Sequence, residues 1–306
     1  MAESAKGHTD TQYLGLLVLE LIALIAGLVI HSFIIGVNVT DWWKGRSVTP
    51  VDHIVTSLGI SRMCAQCAGV PFIFKVALFP NSLGSLSSLI LGYNHDFFIH
   101  VNIWLTSLLS VVFCLKISNH HTRLFLYLRG MIAHRTVYFI VAAVHFSALN
   151  NLIPLVLKNN LKIRICKTTT NYTAAAPMYA VHLGAAFPFL FYYISSVLLF
   201  TSLYHHITKM KMSSNLSINL ETYYSVMKLV SFTFIYNTMY IICSCVAVIY
   251  YFFYCVSLYW LLIVLGFLPA LHSSYLIYRT TKLRSQMSKG LQNIINHLFK
   301  RKSTEI

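Results

Sequence analysis

The sequence predicts an all-α membrane protein, a seven-transmembrane helix bundle with its N-terminus outside and its C-terminus cytoplasmic. Three observations predict it. Charged residues make up 10% of the 306 residues and hydrophobic residues 57%, against ~25% charged in an average soluble domain, which leaves too little polar surface for a soluble globule. Seven stretches stay apolar over the ~20 residues a helix needs to cross the hydrocarbon core. The excess of Lys and Arg, 23 against 8 Asp and Glu for a net charge of +15, gathers on one side of those stretches, the pattern of a cytoplasmic face and not of a nucleic-acid binder. Continuous apolar character also excludes a barrel, whose strands alternate with period two.

The stretches run over roughly 13–37, 51–74, 95–117, 135–157, 182–206, 228–252 and 257–279, so residues 1–279 form the membrane domain and 280–306 a cytoplasmic tail. The first follows a polar segment of mixed charge and reads as a span, not a cleavable leader. In it Glu20 and His31 are eleven residues apart and share one helix face. The second carries Arg62 mid-span in Leu58-Gly-Ile-Ser-Arg-Met63. Arg62 reads as an interhelical clamp, as a contact that rearranges on activation, or, more weakly, as part of a relay. Cys64-x-x-Cys67 in the same span has no second ligand pair and reads as small packing residues, not a metal site. With His100, His145 and His272, the ionisable groups Glu20, His31 and Arg62 within spans are costly in lipid and are expected to face the bundle interior. Glu20 is the only acid deep in a span, which counts against a transporter built on acid pairs.

Beyond span four, residues 158–181 hold four basic residues and Asn171-Tyr-Thr, a glycosylation acceptor that fits an outer loop. Two further sequons, Asn38-Val-Thr and Asn215-Leu-Ser, fall on the inner side. Cys166 and Cys255 lie at the outer face and either pair or stay free. Span five closes on His205-His206, which, like His120-His121, are adjacent on a helix and do not converge on a metal. Sixteen Lys and Arg fall in inner segments and six in outer ones, which sets the N-out orientation. In the tail, Leu291, Ile294, Ile295, Leu298 and Phe299 make one apolar helical stripe flanked by basic residues, either a short amphipathic helix on the lipid bilayer or a disordered end. There is no HExxH, GxSxG or phosphate-binding glycine loop, so neither an enzyme nor a cofactor is expected.

Several short motifs then fall in order along the chain: Asn38-Val-Thr-Asp-Trp42, Leu58-Gly-Ile-Ser-Arg62, Leu115-Lys-Ile-Ser-Asn119 leading to Leu124-Phe-Leu-Tyr-Leu-Arg129, Ser202-Leu-Tyr-His-His206 with Lys209-Met210, and Pro269, His272-Ser273 and Lys282-Leu-Arg284. As a set they resemble the bitter taste receptor family (taste receptors type 2), which are G protein-coupled receptors. Rhodopsin-like markers are missing at the ends of spans three and seven. The chain departs from the family at His31, where many members have Asn, at His95 and Ile99, where many have Trp and Asn, and at Leu262, where some have Glu. Vomeronasal type 1 pheromone receptors are the nearest alternative, with a poorer fit in spans six and seven, and a channel or transporter a remote one.

The resemblance implies a multi-pass plasma-membrane receptor that binds a small-molecule bitter ligand among the outer halves of spans two, three, five, six and seven and activates a heterotrimeric G protein with a gustducin-like Gα. By the family alignment the face made of His95, Ile99, Asn102 and Ile103 looks into the ligand site, with Leu262 from span seven and Tyr236 and Tyr240 as an aromatic wall opposite. His95 is either a hydrogen-bonding imidazole in that site or a cap at the water interface. Asp96, about 100° around the helix, reads as a poor counterion, so neutral or weakly acidic ligands are expected over permanent cations. On the inner face Arg129, His206, Lys209, Lys211, Lys282 and Arg284 are candidates to meet Gα, or serve only to set topology. Glu20, Arg62 and His272 are the switch or structural candidates.

With the N-terminus outside, Asn171 carries the only N-glycan. Asn171→Gln then abolishes the mass shift on deglycosylation, and a glycan on Asn38 or Asn215 would overturn the orientation.

Overall fold

The computed structural model describes residues 2–79, 85–117, 123–157, 175–212, 217–250, 254 and 258–304. The described residues form helices α1 (Ala2–Trp43), α2 (Pro50–Leu78), α3 (Leu86–Ile117), α4 (Arg123–Leu157), α5 (Ala175–Met212), α6 (Ser217–Ile249), α7 (Tyr259–Arg279) and α8 (Thr281–Thr304). The first seven overlap the seven apolar stretches; α1 to α5 overrun theirs, α6 begins earlier than its stretch, and α7 falls within its own. α1 continues to Trp43, and α3 starts at Leu86, not 95. Hydropathy marks where lipid contact ends, whereas the backbone hydrogen-bond ladder continues into the interface until a turn stops it. At the end of α1 that turn contains Gly45 at φ +67, a left-handed conformation that suits glycine, and it is closed by the Arg46 N–H donating to the Asp41 carbonyl at 3.0 Å. α2 then opens with a capping box: Thr49 Oγ1 accepts from the Asp52 N–H, and Asp52 Oδ2 accepts from the Thr49 N–H.

α1, α3, α5, α6 and α7 are each long and apolar enough to cross a membrane. α4 makes a sixth, as two segments, Phe125–Ile132 and His134–Leu152, that meet at 83°. The bend falls at Arg135, whose φ and ψ of −119° and 22° leave the helix. α2 differs from the sequence expectation. Asp52, Arg62, Gln66 and Lys75 leave it short of the apolar content of a span that faces lipid. It packs mainly on α3 and α1, with lesser contacts to α4 and α7, so Ser61, Arg62 and Gln66 are buried against protein.

α3 runs through the middle, packed on α2, α4 and α5. Leu105 is fully buried there, and Ser110 exchanges 2.9 Å hydroxyl contacts with Ser195 and Ser196 of α5. A continuous core of Ile34, Ile54, Leu109, Val112 and Leu276 fills the half of the bundle near the α1–α2 turn. Large apolar side chains such as Ile25, Val29, Phe187, Phe191 and Ile194 point outward, as lipid-facing surfaces do. Pro71, Pro188 and Pro269 sit inside α2, α5 and α7. One expectation fails: His145 faces outward on α4, with Nδ1 against the Val141 carbonyl at 2.8 Å. Its own helix satisfies that nitrogen, so nothing draws the ring inward.

The tail is helical from Thr281, ten residues before the predicted stripe begins at Leu291. Leu283 is buried in the bundle core, while Leu291 and Ile295 are exposed. Lys282 fixes the root of α8: its Nζ donates to Asn38 Oδ1 at 3.0 Å and pairs with Asp41 at 3.0 Å and Asp52 at 3.2 Å. Asn38 Nδ2 in turn donates to Thr56 Oγ1 at 2.9 Å. We therefore expect Lys282→Ala to raise amide hydrogen exchange at the root of α8 by a factor of a few, in line with ~1 kcal/mol for partly exposed pairs, with the Leu105 region unchanged.

Candidate ligand cavity and the polar layer beside it

At the end of the bundle away from the α1–α2 turn, α1, α2, α3, α6 and α7 enclose a cavity of about 240 Å³. Its α3 wall is a stripe at spacings of three and four, from Ser88 through Gly92, His95, Ile99 and Asn102 to Thr106. All seven sequence-predicted ligand residues line it: His95, Ile99, Asn102 and Ile103 from α3, Tyr236 and Tyr240 from α6, and Leu262 from α7. Arg62, Gln66 and Gly69 of α2 join them, with Glu20 of α1 and Gly266 of α7. The sequence expectation included span five and omitted span one. Among the described residues α5 contributes nothing to the wall, because its polar face is engaged with Ser110 further along α3.

Asp96 also departs from expectation, since it lines the cavity beside His95. A helix that enters the centre of a bundle presents a stripe about 100° wide, enough for two adjacent residues. His95 lies ten residues into α3 and does not cap it. Nδ1–H donates to the Ala65 carbonyl of α2 at 3.0 Å, and the ring covers Gly69, where an added Cβ would stand 2.7 Å from Cε1. Asn102 Oδ1 accepts from Ser61 Oγ at 3.1 Å. Tyr236 and Tyr240 lie with ring centroids 6.4 Å apart.

Between this cavity and the apolar core is a layer of polar side chains centred on Arg62, which is 2% exposed. Its Nη1 donates to Ser273 Oγ at 2.8 Å and to His272 Nδ1 at 2.9 Å. Arginine has donors only, so His272 Nδ1 must accept and its Nε2 carries the proton, which points to Thr233 Oγ1 at 3.3 Å. Ser273 Oγ, having accepted from Arg62, donates to His31 Nε2 at 3.0 Å. One guanidinium thus connects α2, α7, α6 and α1. Tyr236 belongs to both layers: its ring stacks on His272 at 4.6 Å and lies 5.9 Å from Arg62 Cζ.

The remaining candidates are spread over the other end. Arg129 on α4 and Arg284 on α8 are exposed, while Lys282 is half-buried in its ion pairs. His206, Lys209 and Lys211 lie on the last turns of α5, and their side chains fall outside the described residues. Asn171, Asn215, Cys166, Cys255 and His120-His121 also lie outside them. Asn38 is 4% exposed and hydrogen-bonded through both ends of its amide. Among the described residues no group of His, Cys, Asp and Glu could hold a metal. Sequence reasoning missed Gln66 and Gly266. Gln66 carried a signal, since it follows Arg62 by four residues on one face. Gly266 carried none, since its role depends on what faces it.

The profile of a family described as "Taste receptor protein (TAS2R)" matches residues 9–294. The chain is similar to taste receptor type 2 member 7 of Papio hamadryas, 29% identical over 219 residues, covering 67% of this chain and 69% of that one. It is also similar to taste receptor type 2 member 16 of Rattus norvegicus, 28% identical over 218 residues, covering 67% and 71%. In fold it is similar to the crystal structure of squid rhodopsin, with a TM-score of 0.67 at 13% identity, covering 94% of this chain and 87% of that one.

Ser273→Ala removes one acceptor from Arg62 and the donor to His31. In purified protein it lowers thermal stability by an amount equivalent to about 1–3 kcal/mol, and an unchanged melting temperature would contradict the hydrogen-bond order given above.

Proposed function

The chain belongs to the taste receptor type 2 family of bitter taste receptors, and from that premise we propose that it binds small bitter molecules in the cavity between α1, α2, α3, α6 and α7 and activates a heterotrimeric G protein at the opposite end of the bundle. The observation that carries this reading is the place of Tyr236, which lines the cavity and stacks on His272 of the polar layer. A ligand in van der Waals contact with Tyr236 acts on a residue tied to four helices. It favours whichever arrangement of that layer it fits better, and so shifts the population of receptor states. The apolar bulk of the wall, with a few convergent polar groups, is the usual chemistry of a small-molecule site.

The orientation that fits this function puts the N-terminus and the Asn171 loop outside the plasma membrane and the basic end in the cytoplasm. There Arg129, His206, Lys209, Lys211 and Arg284 face a gustducin-like Gα, whereas Lys282 holds α8 to α1 and α2. The exposed stripe of α8, with Leu291 and Ile295, lies on the cytoplasmic leaflet.

Cells expressing the receptor with a gustducin-like Gα, screened against a chemically diverse bitter panel, give ligand-evoked calcium signals that disappear without Gα; currents that persist without it would indicate a pore. At equal surface expression, His206→Ala and Arg284→Ala lower the agonist response, and an unchanged response in both would place the Gα contact elsewhere.

A further inference from the structure

The corner where α1, α2 and α7 meet holds two buried acceptors that lack a donor. Glu20 Oε2 and Gln66 Oε1 have no hydrogen-bond partner, although the two residues are only 4% and 8% exposed and both line the cavity. They converge on Gly266. Gln66 Nε2 donates to its carbonyl at 3.2 Å, and a Cβ placed on Gly266 would stand 2.8 Å from Glu20 Oε1 and 3.0 Å from Oε2. A backbone carbonyl only accepts, so the amide nitrogen is the end of Gln66 that faces it and the oxygen is the end left over. Gln66 is held from the other side by Gly27, where its amide already occupies the space of a side chain.

Among the described residues no cation answers these acceptors: Glu20 makes no ion pair, and Arg62 is engaged with His272 and Ser273. A buried acceptor without a donor is destabilising, and an unpaired carboxylate more so. A ligand hydroxyl would supply one donor and no charge. A quaternary ammonium would supply charge and no donor. A protonated primary or secondary amine supplies both, with at least two N–H groups around one centre of positive charge.

We propose that this corner is the ammonium subsite of the cavity, taking a ligand's protonated primary or secondary amine between Glu20 Oε2 and Gln66 Oε1. The inference rests on the cavity's being the ligand site and names its ligand class. The amine's apolar body lies toward Leu262 and Leu265 of α7 and the rings of Tyr236 and Tyr240, which share the same wall. The expectation from sequence that permanent cations bind poorly is retained for quaternary ammonium, and the expected preference for neutral ligands is replaced. Gly266 is the third element of the site, because only a residue without a side chain lets the Glu20 carboxylate rest there.

The test measures binding to purified full-length receptor by thermal shift, with 2-phenylethylamine, its N,N,N-trimethyl analogue and 2-phenylethanol near pH 7. The wild type binds 2-phenylethylamine about tenfold more tightly than either other probe, the scale of a charge-assisted hydrogen bond. Glu20→Gln and Gly266→Ala each remove most of that preference, while 2-phenylethanol loses much less on both. Equal affinity for the three probes overturns the subsite. So does a preference that survives Glu20→Gln and disappears in Asp96→Asn, the competing half-buried carboxylate on α3. Selective amine binding by a receptor that evokes no Gα-dependent calcium signal supports the subsite and overturns the receptor function, so the two failures are separate.

Discussion

The bundle depends on how it houses one guanidinium. An arginine at the centre of a membrane helix costs at least ~2.5–3.5 kcal/mol on insertion scales, and α2 carries one at Arg62. The cost is offset because α7 supplies His272 and Ser273 as acceptors within 2.9 Å. Once those two are committed, the donor order runs outward to Thr233 on α6 and His31 on α1. Four helices are then fixed in rotation and depth by one charge. The packing of α2 follows from this, since it is too polar to face lipid, and so does the shape of the cavity, which Arg62 closes on its inner side.

Much of this was legible in the chain. Span positions follow from composition, which the bilayer imposes residue by residue, and the α3 stripe follows from helical period. What was not legible depended on partners far apart in sequence. The basic residues near the end of span seven look alike in the sequence, yet Lys282 faces Asp41 and Asp52 and hydrogen-bonds to Asn38, 244 residues away, while Arg284 faces solvent. Asp96, about 100° around the helix from His95, reads from sequence as a poor counterion, yet it lines the cavity. The width of the stripe is decided by how deeply α3 enters the bundle, which no local pattern records. The bend at Arg135 was unmarked for the same reason, as α4 has no proline before Pro154.

The two ends of the molecule use charge in opposite ways. Around the α1–α2 turn, Arg46, Asp41, Asp52 and Lys282 are matched into pairs, while Arg129 and Arg284, with other basic residues such as Lys44 and Arg123, stay exposed. At the cavity end Glu20 and Asp96 make no ion pair among the described residues. The chain's own ions meet at the first end, and at the second, on the proposed reading, the unmatched acids are left for a ligand.

Pro269 lies on α7 between Gly266 and the pair His272-Ser273. Proline has no N–H, so the Leu265 carbonyl loses its helical donor there and the helix is softer at that point than on either side. In mechanical terms α7 is a lever with its joint between load and output. One arm rests on the cavity and the other grips the guanidinium, so a push at the first arrives at the second as a change of angle. A stiffer helix would transmit the same push as a displacement along its whole length. Such a joint would keep any movement local to the residues that hold the bundle together.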